Sequence, residues 1–162
     1  MKIETLFKLG MDRTIKPLLD FPDGIVLNLG AGNKLIEGSV ALDYPEWDAD
    51  SMPIPYQDGA VSGVHAYHFL EHCSDPVAVL IEVNRVLCKG GVCNIIVPYY
   101  KSQMAAHDFD HKKIFCEETW RVLFDNPYYN KNRIEWKFEI GTNIIIGVVE
   151  RNLALMTQLV KI

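Results

Sequence analysis

The most chemically loaded stretch of the chain is His107-Asp108-Phe109-Asp110-His111, two imidazoles and two carboxylates within five residues. Such groups move protons near neutral pH and ligate borderline metal ions. Tyr99 and Tyr100 lie just upstream. Three readings of the run stand side by side. Its residues cap the next helix and solvate a loop. Or His107, Asp108 and His111 bind an acceptor and remove its proton. Or His107 and His111 hold a metal with Asp108 or Asp110, helped by Cys116, with His72 near the same sheet edge. No resident metal is assigned.

The second constellation is Gly30-Ala31-Gly32, directly after the apolar run 25–29, with Asp43 closing the next apolar run. Glycines after a strand let the backbone approach a ligand, although a tight turn asks for them too. Leu35 stands where a dinucleotide fingerprint has its third glycine, so NAD and FAD fit poorly. A carboxylate beside a glycine loop can accept both hydroxyls of a ribose. The pairing favours a nucleoside.

The elements that position these groups follow from the apolar runs. A short helix is expected over 11–20, ended by Phe21-Pro22-Asp23-Gly24. Strands are expected at 25–29, 39–43 and 61–67, with a proline-punctuated loop over 45–59. Asp75-Pro76 reads as N-cap and first helical residue, and the helix stops at Gly90-Gly91. A strand at 92–97 ends on Pro98, and a helix is expected over 117–124. Residues 133–140 and 153–162 read as two closing strands, an antiparallel hairpin on the sheet edge. The alternation before them implies a parallel α/β sheet.

Composition narrows the partners. At 162 residues, 49% hydrophobic and 23% charged, the chain reads as one soluble domain over 1–162. It divides into an N-terminal segment (1–22), a core (23–100) and an acceptor-side remainder (101–162). A net charge of -5 with scattered Lys and Arg argues against extended nucleic acid as partner. No apolar run reaches the ~20 residues of a membrane helix. The first residues show no signal-peptide pattern, and the four cysteines form no CxxC pair. A cytoplasmic protein with free thiols is expected, with no membrane partner.

Several motifs occur in a telling order. They are Asn28-Leu29-Gly30-Ala31-Gly32, then Asp43, then residues 53–61 (PIPYQDGAV), then His68-Phe69-Leu70-Glu71-His72 before Asp75-Pro76. Last comes Glu82-Val83-Asn84-Arg85-Val86-Leu87-Cys88-Lys89-Gly90-Gly91. Together they resemble the class I S-adenosylmethionine-dependent methyltransferases of the small-molecule, type 11-like group, over about residues 25–100. The resemblance implies a Rossmann-like sheet, S-adenosylmethionine as cofactor and S-adenosylhomocysteine as product. It implies cofactor contacts from Asn28, Gly30, Ala31, Gly32, Asp43 and Tyr44, from Asp50, Ser51 and Met52 near the adenine, and from His68 at the amino-acid end. Met52 is read either as an adenine cover or as a core methionine.

The sequence departs from this group in two ways. Asn28 stands where relatives commonly carry an acid. The intervals 32–43 and 43–61 are too short for the usual helices, so a minimal fold lacking part of the second βα unit is expected. The expected activity is methyl transfer to a small or exposed acceptor, in a pocket that is shallow or completed by a second copy or partner subunit. The alternative from another class is a catalytically silent cofactor-binding module or partner subunit. A third reading is an enzyme that cleaves the cofactor.

Overall fold

The computed structural model describes residues 19–126, 138–147 and 152–162. Six strands form one sheet in the order β2-β1-β3-β4-β6-β5. They are β1 (Ile25–Leu29), β2 (Val40–Leu42), β3 (Val61–Tyr67), β4 (Leu87–Pro98), β5 (Phe138–Ile146) and β6 (Ala154–Lys161). The first four are parallel, with Leu27 opposite Val40 and His65 opposite Asn94. β6 runs antiparallel to β4, and β5 antiparallel to β6. The parallel sheet and its closing hairpin are those expected.

Helix α1 (Pro76–Val86) starts as its residues dictate. The Asp75 carboxylate accepts the Val77 and Ala78 amides, and Pro76 occupies the first turn, where no amide is needed. Its buried face, including Val79, Leu80, Val83 and Val86, joins Leu27, Leu29, Val64, Cys93, Ile95 and Leu155 in the main core. The opposite face holds a small cluster of Ile96, Ala154 and Met156. There Gln158 donates to the Asn94 side-chain oxygen Oδ1 and to the Leu19 backbone carbonyl, and Phe21 packs edge-on to His65.

Several boundaries differ from the sequence reading. α1 ends at Val86 rather than near Gly90, and β4 begins at Leu87, because Leu87 pairs with Val61 before the ladder resumes at Val92 opposite Gly63. Gly90, at φ 77°, makes the turn inside that irregular strand. A one-turn helix, α2 (Met104–His107), stands in the segment read as loop, and a 3-10 turn spans Leu70–His72. α3 (Glu118–Asp125) lies one residue beyond expectation. β5 runs on past Gly141 to Ile146. Residues 11–18 of the first expected helix and 133–137 of the penultimate strand lie outside the described residues, and residues 19–20 are not helical.

The shortened unit is visible directly. No helix joins β1 to β2, and only turns join β2 to β3. Among the described residues, no helix is long and apolar enough to cross a membrane.

Candidate functional site

The carboxyl ends of β1 and β2 lie side by side, and the chemistry gathers there. The Gly30 amide donates to the Leu42 carbonyl at 2.9 Å, locking the two strand ends together. The loop beyond is shaped from inside. Buried Asn28 donates its amide to the Lys34 carbonyl at 3.0 Å, and the Lys34 amide closes a turn onto Ala31. The two glycines differ in kind. A Cβ on Gly30 would stand 2.3 Å from the Phe69 ring, so this glycine exists for packing. Gly32, at φ 49°, has nothing within 4 Å of where a Cβ would be. It faces open space.

Asp43 follows β2 and joins the two motifs. One carboxylate oxygen accepts the Gly32 amide at 2.5 Å and the other accepts the Tyr44 amide at 2.8 Å. Each oxygen has a second lone pair, so the group is oriented and still able to accept two hydroxyls. The Tyr44 ring itself is exposed.

Beside Asp43 opens a cleft of about 120 Å³, lined by Asp43, Tyr44, Trp47, Asp48, Ala49, Asp50, Phe69, His72 and Cys73. Its aromatic members are fixed. Buried Trp47 donates its indole N–H to Pro53 at 3.1 Å, and its ring centroid lies 6.0 Å from that of Phe69. The Cys73 thiol donates to the Phe69 carbonyl, and burial, aided by the Asp50 charge, pushes it up to about 12. It is no nucleophile near neutral pH. An oriented carboxylate and an apolar wall in one cleft, with an open glycine bonded to that carboxylate, fit a nucleoside.

The remaining residues named from the sequence fall as follows. Asp50 accepts the Ser74 hydroxyl at 2.7 Å, the Ser74 amide at 2.8 Å and the Lys112 ammonium at 3.2 Å. The Ser74 bonds, with Lys112, hold its carboxyl below the usual range. Ser51 donates its hydroxyl to Asp48. Met52 is 44% exposed and lies outside both the core and the cleft lining, which overturns its reading as a core methionine. His68 follows β3 at φ 52°; its amide donates to Ile96 and its Nδ1 lies 3.3 Å from a Glu71 oxygen.

The run 107–111 is split by the fold. His107 ends α2 and donates Nδ1–H to the Gln103 carbonyl at 2.8 Å, which leaves Nε2 as the basic nitrogen of the neutral ring. Asp108 accepts the Asp110 amide and lies 3.7 Å from His111 Nε2; that amide and three neighbouring histidines draw its carboxyl down. His111 turns inward against His72, ring centroids 4.8 Å apart. Tyr99 is buried and donates to Glu117, while Tyr100 is exposed.

Sequence reasoning assigned no role to Glu71, Trp47, Phe69, Ser74 or Lys112. Phe69 and Glu71 left a signal, their place in the motif at 68–72, and Lys112 left one as half of a Lys112-Lys113 basic pair. The others come together through loops that carry no periodicity.

Residues 28–95 match the family model for a methyltransferase domain. No curated protein matches the sequence. Among solved structures, the chain is similar to one from a complex between the Haloferax volcanii Trm112 methyltransferase activator and a methyltransferase. The TM-score is 0.61 at 14% identity, covering 87% of this chain and 85% of that one. It is similar to a SAM-dependent methyltransferase of Thermotoga maritima, with TM-score 0.58, 15% identity and coverage of 87% and 84%. It is similar also to the geranyl diphosphate C-methyltransferase of Streptomyces coelicolor, solved with Mg2+, geranyl diphosphate and S-adenosyl-L-homocysteine. There the TM-score is 0.60 at 12% identity, covering 88% and 73%. At such identities the likeness is one of fold. The resemblance to class I methyltransferases thus holds for the sequence core and for the sheet as a whole.

Proposed function

We propose that this chain is an S-adenosylmethionine-dependent methyltransferase acting on a small or exposed acceptor group. The observation that carries this reading is the strand-end junction, where an open glycine amide is tied to an oriented carboxylate at the mouth of the cleft. The methyltransferase-domain match over residues 28–95 supports it.

In this reading Asp43 accepts the ribose hydroxyls and the 30–32 loop, kept in shape by Asn28, flanks the methionine portion. Trp47 and Phe69 give the adenine an apolar wall. Asp50, Ser51 and Tyr44 form its polar rim, with Met52 just outside, and His68 serves the amino-acid end. The bound cofactor supplies a methyl already activated on a sulfonium, so the protein chiefly aligns the acceptor and excludes water.

For an acceptor that must lose a proton, His107 Nε2 is the available base on the acceptor segment, with Asp108 and His111 behind it. That segment is open. Phe109 and Ile114 are among the most exposed apolar side chains described, and Tyr100 is half exposed. An acceptor seated on such a surface is small, exposed on a larger molecule, or covered by a second copy or partner subunit. The Haloferax neighbour, solved with an activator, supports the last arrangement.

Calorimetry with S-adenosylmethionine and S-adenosylhomocysteine tests the reading, followed by assay of demethylated cofactor with pooled acceptors. Asp43→Ala should weaken binding by about tenfold to a hundredfold, the worth of roughly 1.5–3 kcal/mol in hydrogen bonds to a charged group. Gly32→Ala should weaken it in a folded chain, whereas Gly30→Ala should destabilise the chain against Phe69. Equal affinity in Asp43→Ala would remove the nucleoside site. Tight binding without turnover on any acceptor would reassign the chain as a silent binding module.

A further inference from the structure

Behind the cleft, the 3-10 turn after β3 meets the loop after α2. The Glu71 backbone carbonyl accepts the Lys112 amide at 2.8 Å and the Lys113 amide at 3.2 Å, fixing the loop against the turn. Between these two backbones three metal-competent side chains converge. Ligand atoms of Glu71, His72 and His111 all lie within 4.8 Å of one another.

Two of these groups are in electrostatic deficit. Glu71 is 1% exposed, and its Oε2 is buried without a hydrogen-bond partner while Oε1 faces His68. The His111 side chain is 9% exposed, and its Nδ1 is likewise buried without a partner. Burying an unsatisfied polar atom forfeits its hydration with nothing in return, and the loss is larger for a charged group. Each of the two residues offers a ligand atom within 4.8 Å of one on His72. A cation between them satisfies both at once.

We infer that Glu71, His72 and His111 form a divalent transition-metal site of the zinc class, which ties the 108–113 loop to the turn after β3. Two imidazoles and a carboxylate suit a borderline ion rather than Mg2+ or Ca2+, which prefer oxygen. Tetrahedral ligands at the usual zinc distances stand roughly 3.4 Å apart, so the three groups have to draw closer together to hold an ion. The outer groups are those such a site uses. Asp108 lies beside Nε2 of His111, leaving Nδ1 for the ion, and His68 steadies the far oxygen of Glu71. Three protein ligands leave a position for water or for an oxygen of a bound molecule.

The set differs from the one the sequence suggested. His107 and Cys116 are not part of it, and His111 pairs with a histidine 39 positions earlier in the chain. It adjoins the proposed nucleoside site, since His72 also lines the cleft, but its test reads the metal itself and so does not depend on methyl transfer.

The test is titration of the full chain with Co2+, followed by visible absorption, and with Zn2+ by calorimetry. A single equivalent should bind with ligand-field bands and without a thiolate charge-transfer band. Glu71→Gln and His111→Asn should each weaken binding by at least about tenfold, in line with or beyond the loss of an outer-sphere partner. His107→Ala should bind as the parent does. In the unmodified chain, Zn2+ should shift the ring resonances of His72 and His111 and leave those of His65 in place, which keeps the test decisive if a variant fails to fold. No stoichiometric binding, a thiolate band, or equal affinity in the two variants would overturn the site.

Discussion

At the scale of single residues, the polar groups buried in the sheet set how the chain responds to acid. His65 sits on β3 between Phe21 and Tyr67, with its Nδ1 2.9 Å from the Tyr67 hydroxyl. Burial pushes its imidazole down to about 4. An unfolded chain protonates this residue near 6.5, so below that pH the unfolded state binds a proton that the folded state refuses. The contribution is therefore intact above about pH 6.5 and drains away as pH falls toward 4, amounting to about 3 kcal/mol across the window. Denaturant midpoints measured from pH 7.5 to 5 should fall in the parent and flatten in His65→Gln. A parallel slope in both would place the acid sensitivity elsewhere. Residue types alone did not show this, because a histidine in a strand reads the same whether it faces water or a phenyl ring.

At the scale of elements, the sequence was most legible where one pattern decides the outcome. The runs 25–29 and 61–67 are strands to the residue, and Asp75-Pro76 starts α1 as its capping chemistry demands. Legibility failed where a tertiary pairing competed with a local pattern. Leu87 continues the helical spacing of α1, yet its ladder partner Val61 takes it into β4. The cleft was half legible: Asp43 and the glycine loop stand in sequence motifs, whereas Trp47 and Phe69 meet only through folding.

The Glu82–Arg85 motif gains a physical reason here. Arg85 donates to both oxygens of Glu82, to the Ile54 and Tyr56 carbonyls and to Asp58, while Glu82 accepts the Ile54 amide. One guanidinium thus pins to α1 the long loop that replaces the missing βα unit. Arg85→Ala should lower stability by about 2–3 kcal/mol and weaken nucleoside binding through the loosened loop. Arg85→Lys should restore only part, since an ammonium cannot make the fork. Chemical denaturation with ligand titration reads both, and an Ala variant as stable as the parent would show that the loop holds itself.

At the scale of the whole molecule, two loops among the described residues lie together at the carboxyl edge of the sheet. They touch through one cluster: Lys112 donates to Asp50 at 3.2 Å and to Ser74 at 2.9 Å, and Ser74 donates to Asp50. Asp50 lines the cleft, and Lys112 belongs to the loop after α2. Whatever quiets the first loop should be felt in the second. Adding S-adenosylhomocysteine should slow amide exchange across 107–113 in the parent and much less in Lys112→Met; equal slowing in both would dissolve the link. Linkage runs both ways, so a molecule resting on the second loop must raise nucleoside affinity by the factor that the nucleoside raises its own. In the proposed reading such reciprocity favours neither ligand as the first to load: each stiffens the surface the other meets, and the loss of either loosens the one that stays.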